Sequence, residues 1–135
     1  MNKFEKLGLS EELLKSINEL GFEKPTPIQE NIIPVILEGY DVIGQAQTGT
    51  GKTAAFSLPI LENFEPSKVI QAIVLAPTRE LALQVAEEMN SLAHGKKIRI
   101  IPVYGGQSIE FQIRQLKKGT DIIVGTPGRV IDLME

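Results

Sequence analysis

The sequence has no cysteine and only one histidine, His94. The first absence excludes a disulfide framework, a thiolate zinc site and a catalytic thiol. The second argues against a metal held by imidazoles. There is no basic excess either: 14 Lys and Arg stand against 17 Asp and Glu, a net charge of −3. Bulk electrostatics therefore does not draw a polyanion to the chain, and any such binding must be local. Long apolar runs are missing too, and none approaches the ~18 residues that a membrane span needs. The opening MNKFEKLGLS is broken by Lys and Glu and does not read as a signal peptide. No internal repeat or low-complexity stretch appears. A soluble, cytoplasmic protein with no membrane partner is expected. What is present is 135 residues with 42% apolar content, enough for one packed domain.

Turn residues cut the chain into short units. In SEELLKSINEL (10–20) Ser10 can cap a helix whose one face carries Leu13, Leu14, Ile17 and Leu20, and Gly21 stops it. IQENIIPVILEG (28–39) predicts a second helix with Pro34 near its start. A strand–helix rhythm follows. The apolar runs 41–45, 72–76, 99–104 and 121–125 read as strands. Helical patterns follow at about 52–62, 79–93 and 107–118 and from 128 on. Near-continuous apolar strands are those buried on both faces of a parallel sheet. The alternation predicts right-handed βαβ units in a three-layer α/β/α domain.

Between the first predicted strand and its helix stands AQTGTGKT, residues 46–53. Ala46, Gln47, Thr48, Gly49, Thr50 and Gly51 would wrap backbone N–H groups around a phosphate at a helix N-terminus. Lys52 would reach the β- and γ-phosphates, Thr53 would offer its hydroxyl to Mg²⁺, and Ala54 would continue the helix. The general phosphate-loop pattern asks for glycine where Ala46 stands. Such a loop by itself leaves kinases, GTPases and ATP-driven motors open.

The other predicted strands end in loops that enter helices: Pro77-Thr78-Arg79, Gly105-Gly106-Gln107 and Thr126-Pro127-Gly128-Arg129. In open α/β sheets ligands bind beyond the carboxyl ends of the strands. Helix N-termini favour anions, and Arg79 and Arg129 add forked donors. Each loop alone is also an ordinary βα connector. Together they read as a track for a sugar–phosphate backbone gripped without regard to sequence. Lys96, Lys97 and Arg99 read as a solvated helix end and strand start.

Taken in order, these segments resemble the N-terminal part of a DEAD-box ATP-dependent RNA helicase, and nearly the whole chain takes part. AQTGTGKT is similar to that family's motif I, which begins with alanine. PTREL (77–81), the Gly105-Gly106 doublet and TPGR (126–129) resemble its further motifs, and GFEKPTPIQ (21–29) its Q motif. The resemblance implies a P-loop, RecA-like α/β domain with a mainly parallel sheet, incomplete at its C-terminus. Residues 1–38 would form the Q-motif region and 39–135 the phosphate-loop core. It implies ATP and Mg²⁺ as cofactors and RNA as partner, with Lys52 and Thr53 in the catalytic role. Gln29 would read the adenine edge and Phe4, seventeen positions before Gly21, would contact the base. Phe22, Thr26 and Gln47 would lie near the nucleotide.

The family's Asp-Glu-Ala-Asp segment, its Ser-Ala-Thr motif and the second RecA-like domain that closes over ATP do not occur in these 135 residues. Asp121 precedes its strand, and Asp132 and Glu135 fall on the helix after TPGR, so none stands in for the missing acid. A non-catalytic nucleotide- or RNA-binding module is the competing reading, and a small-molecule kinase is a third. DNA in place of RNA is also open, since no 2′-OH reader is visible. The expectation is that this chain alone neither hydrolyses ATP at a useful rate nor unwinds RNA, because phosphoryl transfer needs complete charge positioning. Phosphate release from ATP by the purified chain, measured with and without RNA, should stay at background. RNA-stimulated turnover would overturn this.

Overall fold

The computed structural model describes residues 3–44, 52–65, 69–93 and 97–134. The chain forms two compact units, Met1–Phe64 with Ser91–Lys96 and Glu65–Asn90 with Lys97–Glu135.

The first unit is helical. A 3₁₀ turn, Lys3–Leu7, leads to α1 (Glu11–Glu19), α2 (Pro27–Leu37) and α3 (Lys52–Glu62). Their apolar faces meet around Phe4, Leu13, Ile17, Ile33, Leu58 and Leu61, all buried. Fully burying side chains of this size stabilises by about 1.5–3 kcal/mol each. Ser10 stands at the N-cap of α1, but its hydroxyl makes no cap bond. Its backbone N–H donates instead to Glu62 Oε1, at 2.6 Å, tying the start of α1 to the end of α3. Leu20 is the C-cap of α1 and is exposed, so the apolar face ends at Ile17 rather than running to Leu20.

Pro34 lies in the interior of α2 rather than near its start. The helix begins at Pro27, one residue before the predicted segment: Thr26 caps it and Pro27 fills its first position, where a missing N–H costs nothing. Of the predicted strand at 41–45, Gln45 lies outside the described residues and the rest forms no strand. Residues 41–44 join no ladder among the described residues, and Ile43 is 95% exposed. A strand without a partner has no hydrogen bonds to offset the ordering of its backbone. Here the segment lies along α2, with Gly44 so close to Ile28 and Ile32 that a Cβ could not be fitted.

The second unit is α/β, as the strand–helix rhythm predicts. β1 (Ala72–Leu75), α4 (beginning at Arg79 and ending at Leu92), β2 (Ile100–Val103), α5 (Ile109–Lys117), β3 (Ile122–Gly125) and α6 (Pro127–Met134) follow in order. The strands form a parallel three-stranded sheet in the order β1-β3-β2. β3 is buried at every position, as expected of a central strand, whereas β1 alternates and exposes Ile73 and Leu75. Val103, Ile123 and Val130 form a core that Ile101, Leu116 and Leu133 extend.

Register makes the strands end level. Leu75 and Val103 both pair with Gly125, and Ala76 and Thr126 continue the ladders by one bond each. Gly125 is required there for space. A Cβ would lie 2.6 Å from both Val103 Cγ2 and Val130 Cγ2 and 3.1 Å from the Val103 carbonyl oxygen. Overpacking of this kind costs about 1–3 kcal/mol. Gly125→Ala should therefore lower the unfolding free energy by about 1–3 kcal/mol, read as a lower urea midpoint. An unchanged midpoint would refute the close packing of α6 on β3.

Candidate nucleotide and RNA interface

The adenine candidates are set by helix ends in the first unit. α1 stops in a paired turn: the Gly21 N–H donates to the Asn18 carbonyl and the Phe22 N–H to the Ile17 carbonyl, each at 3.0 Å. This closure needs a left-handed residue, and Gly21 has φ +83°. It delivers Phe22 beside Phe4, with ring centroids 6.3 Å apart and planes 26° from parallel. Phe4 is only 1% exposed, so Phe22 is the more open ring of the pair.

Five residues on, Thr26 and Gln29 form a reciprocal cap. The Thr26 hydroxyl oxygen accepts the Gln29 N–H at 3.4 Å, and Gln29 Oε1 accepts the Thr26 N–H at 2.9 Å. Gln29 is thus a buried, oriented amide rather than part of a polar helix face. Its carbonyl oxygen has a second lone pair for a further donor.

Of the phosphate-loop candidates, Ala46, Gln47, Thr48, Gly49, Thr50 and Gly51 lie outside the described residues. Lys52, Thr53 and Ala54 open α3. Lys52 is exposed, Thr53 half-buried and Ala54 buried, so the two polar side chains are available at a helix N-terminus. Among the described residues no group of three His, Cys, Asp or Glu is placed to hold a metal.

In the second unit the parallel, level strands bring all three candidate loops to one sheet edge, in the order 77–79, 126–129, 105–107. Thr78 caps α4, its Oγ1 accepting the Leu81 N–H at 3.1 Å. Arg79 reaches over the Tyr104 ring, with its guanidinium carbon 5.9 Å from the centroid. Such a contact contributes about 0.5–1 kcal/mol at an exposed site. Arg79 also lies 3.7 Å from Glu80, and a Cβ placed on Gly106 would be 3.7 Å from its Nη1. Gly106 has φ +89°, a conformation that favours glycine. Ser108 caps α5, accepting the Phe111 N–H at 3.3 Å. In the first turn of that helix, hydrogen bonding from the backbone holds the exposed Glu110 carboxyl below its ordinary pKa. The Ser108 hydroxyl adds to the effect.

Arg129 and Gln107 turn inward, which the sequence does not reveal. Arg129 Nη1 donates to the Gln107 carbonyl oxygen and to Gln112 Oε1, each at 2.8 Å, and the side chain is 13% exposed. Gln112 Nε2 donates to the Tyr104 carbonyl oxygen at 3.0 Å and to Gln107 Oε1 at 2.6 Å. Gln112 and Tyr104 were not candidates. No sequence signal marks them: α5 buries Gln112 and leaves the adjacent Phe111 and Ile113 exposed, the reverse of what residue type suggests. Asp121 sits at the opposite end of β3 from the loops, and Asp132 is exposed on α6.

Residues 26–135 match the sequence profile of the DEAD/DEAH box helicase family. The ATP-dependent RNA helicase CshA of Listeria monocytogenes is 56% identical over 98% of this chain, which spans 26% of that protein. The DEAD-box ATP-dependent RNA helicase CshA of Geobacillus kaustophilus is 57% identical over 98% of this chain, which spans 28% of it. Among solved structures, a DEAD box protein from Methanococcus jannaschii superposes with a TM-score of 0.91 at 48% identity, covering 96% of this chain and 36% of that one. A Dbp5 variant from S. cerevisiae bound to RNA and ADP BeF3 gives 0.86 at 40% identity, covering 99% and 34%. No helix among the described residues is long and apolar enough to cross a membrane.

Removing the Thr26 hydroxyl should cost about 0.5–2 kcal/mol, the usual loss for an N-cap. Thr26→Ala should lower the urea midpoint accordingly, and Thr26→Ser should keep it. Equal midpoints for Thr26→Ala and the parent would show that the reciprocal cap contributes nothing.

Proposed function

The chain belongs to the DEAD/DEAH box helicase family, and we propose that it carries the ATP- and RNA-binding surfaces of the first RecA-like domain of an ATP-dependent RNA helicase. In the whole protein a second such domain would close on nucleotide and RNA, and local duplex separation would follow. Cytoplasmic RNA is the expected substrate, held by its backbone.

What most supports the reading is the level ending of the three strands, which gathers the 77–79, 126–129 and 105–107 loops on one edge. A side chain at Gly105 or Gly128 would meet nothing within 4 Å, so both positions leave room for another backbone to approach. The N–H groups of Arg79 and Glu80 in α4, and of Gly128 and Arg129 in α6, have no acceptor within their own helices and suit phosphate oxygens. Arg79 is the exposed cation of this edge, steered by Tyr104. Arg129 acts from beneath, by holding Gln107.

At the nucleotide end the residues present fit ATP. Gln29 is an oriented amide, and an amide pairs bidentately with adenine's N6–H and N7. Phe22 supplies an apolar face for the base, whereas Phe4, expected to contact it, is buried behind Phe22 and supports that ring. Mg-ATP, when bound, supplies the phosphoryl group to be transferred. Lys52 would balance the phosphate charge, and Thr53 would give its hydroxyl to Mg²⁺, with phosphates and water completing the shell. Ala46–Gly51 would form the cradle.

Calorimetry with Mg-ATP and Mg-GTP tests this. ATP should bind and GTP should bind weakly or not at all; equal affinities would remove the adenine assignment. Gln29→Glu sharpens the test. A carboxylate keeps the acceptor for the Thr26 N–H but has no N–H for adenine N7. ATP affinity should fall about ten-fold, the loss expected for one hydrogen bond to a buried partner. Undiminished ATP affinity would refute the role of Gln29.

A further inference from the structure

Burying a side-chain amide is unfavourable unless its hydrogen bonds are made, and an apolar residue usually serves a helix–sheet contact better. α5 contradicts that preference. Gln112 is its one side chain reduced to 1% exposure, while Phe111 and Ile113 on either side remain exposed. Departures of this kind from local patterning are expected at functional sites.

The bonds of Gln112 show what the amide connects. Both protons of Nε2 are used, one on the carbonyl of Tyr104 at the end of β2 and one on the side-chain oxygen of Gln107. Oε1 accepts from Arg129 in the first turn of α6, and the same Arg129 nitrogen donates to the Gln107 carbonyl. Gln107 is therefore held at both its backbone and its side chain. The loop after β2 and the turn after β3 are fixed to each other by four hydrogen bonds, three of them made by one buried amide and the fourth by Arg129 to the Gln107 carbonyl. Tyr104 extends the arrangement, since its carbonyl is bound by Gln112 while its ring carries Arg79.

We propose that Gln112 is a positioning residue for the RNA backbone. It joins the 105–107 loop to the 126–129 turn so that both meet successive phosphates at a fixed spacing. It touches no RNA itself. This inference rests on the reading of the sheet edge as an RNA grip. Its physical basis is that a chain of phosphates is bound tightly only when its donors are already spaced correctly, because ordering them on binding lowers affinity.

The test uses the full chain, a fluorescent oligouridylate and anisotropy at several salt concentrations. Gln112→Met keeps the side-chain length and removes the donors and the acceptor. It should weaken RNA binding about ten-fold and flatten the salt dependence by about one phosphate contact. Gln112→Glu keeps the acceptor for Arg129 and loses both donors, and should fall between Gln112→Met and the parent. Mg-ATP affinity should be unchanged in both. Amide exchange should accelerate together at residues 105–107 and 128–129. Parental RNA affinity and salt slope in Gln112→Met would overturn the proposal, as would loss of ATP and RNA binding in parallel, which marks a merely structural role. If the parent chain binds no RNA while exchange still rises at both loops, the loops are coupled but the RNA grip is wrong, and the role of Gln112 falls with it. Unchanged exchange overturns the coupling itself.

Discussion

The pairing of β3 with β1 on one side and β2 on the other is the constraint on which the proposed RNA edge depends. Parallel strands in register put the same ends together, and here Leu75, Gly125 and Val103 share a level. A slip of one residue along β3 would turn its side chains to the opposite faces and move the Thr126–Arg129 turn away from its neighbours. The register is specified by packing: Gly125 has no room for a Cβ between Val103 and Val130, so that small residue must lie there. Short strands of four residues each thus carry precise positions outward to the loops.

The nucleotide end is organised differently. No sheet edge sets its described residues. The closing turn of α1 around Gly21 delivers Phe22 to Phe4, and the reciprocal cap of α2 orients Gln29. Both devices satisfy backbone groups that a helix end leaves open, so positioning of the side chains comes with helix termination itself. The two halves of the proposed function therefore use two sources of order, strand register for RNA and helix capping for adenine.

Much of this was legible. α3 falls where its pattern predicts, and α4, α5, α6 and the three observed strands differ from expectation by only a residue or two at their ends. Apolar periodicity and turn residues are local, and in these segments burial agrees with them. The failures have separate causes. The 41–45 run has strand composition, but a strand exists only with a partner, which the run itself cannot specify. Leu20 continues an apolar period but follows the last helical residue, and Pro34 lies well inside both the predicted segment and α2 rather than near their start.

The order of motifs and the family were determined by the sequence alone, since each motif is a short, contiguous pattern; those patterns also nominate Gln29, Lys52, Arg79 and the glycine doublet as site residues, and spacing from Gly21 nominates Phe4. Tertiary structure decided which of those residues face outward. Arg129 reads as a phosphate contact in TPGR, yet its guanidinium is turned inward to Gln107 and Gln112. Gln112 reads as an unremarkable helix polar residue, yet it is the buried centre of the loop network. Hydrogen bonds between residues 17 and 22 positions apart depend on how strands stack side by side, and no local pattern encodes that arrangement.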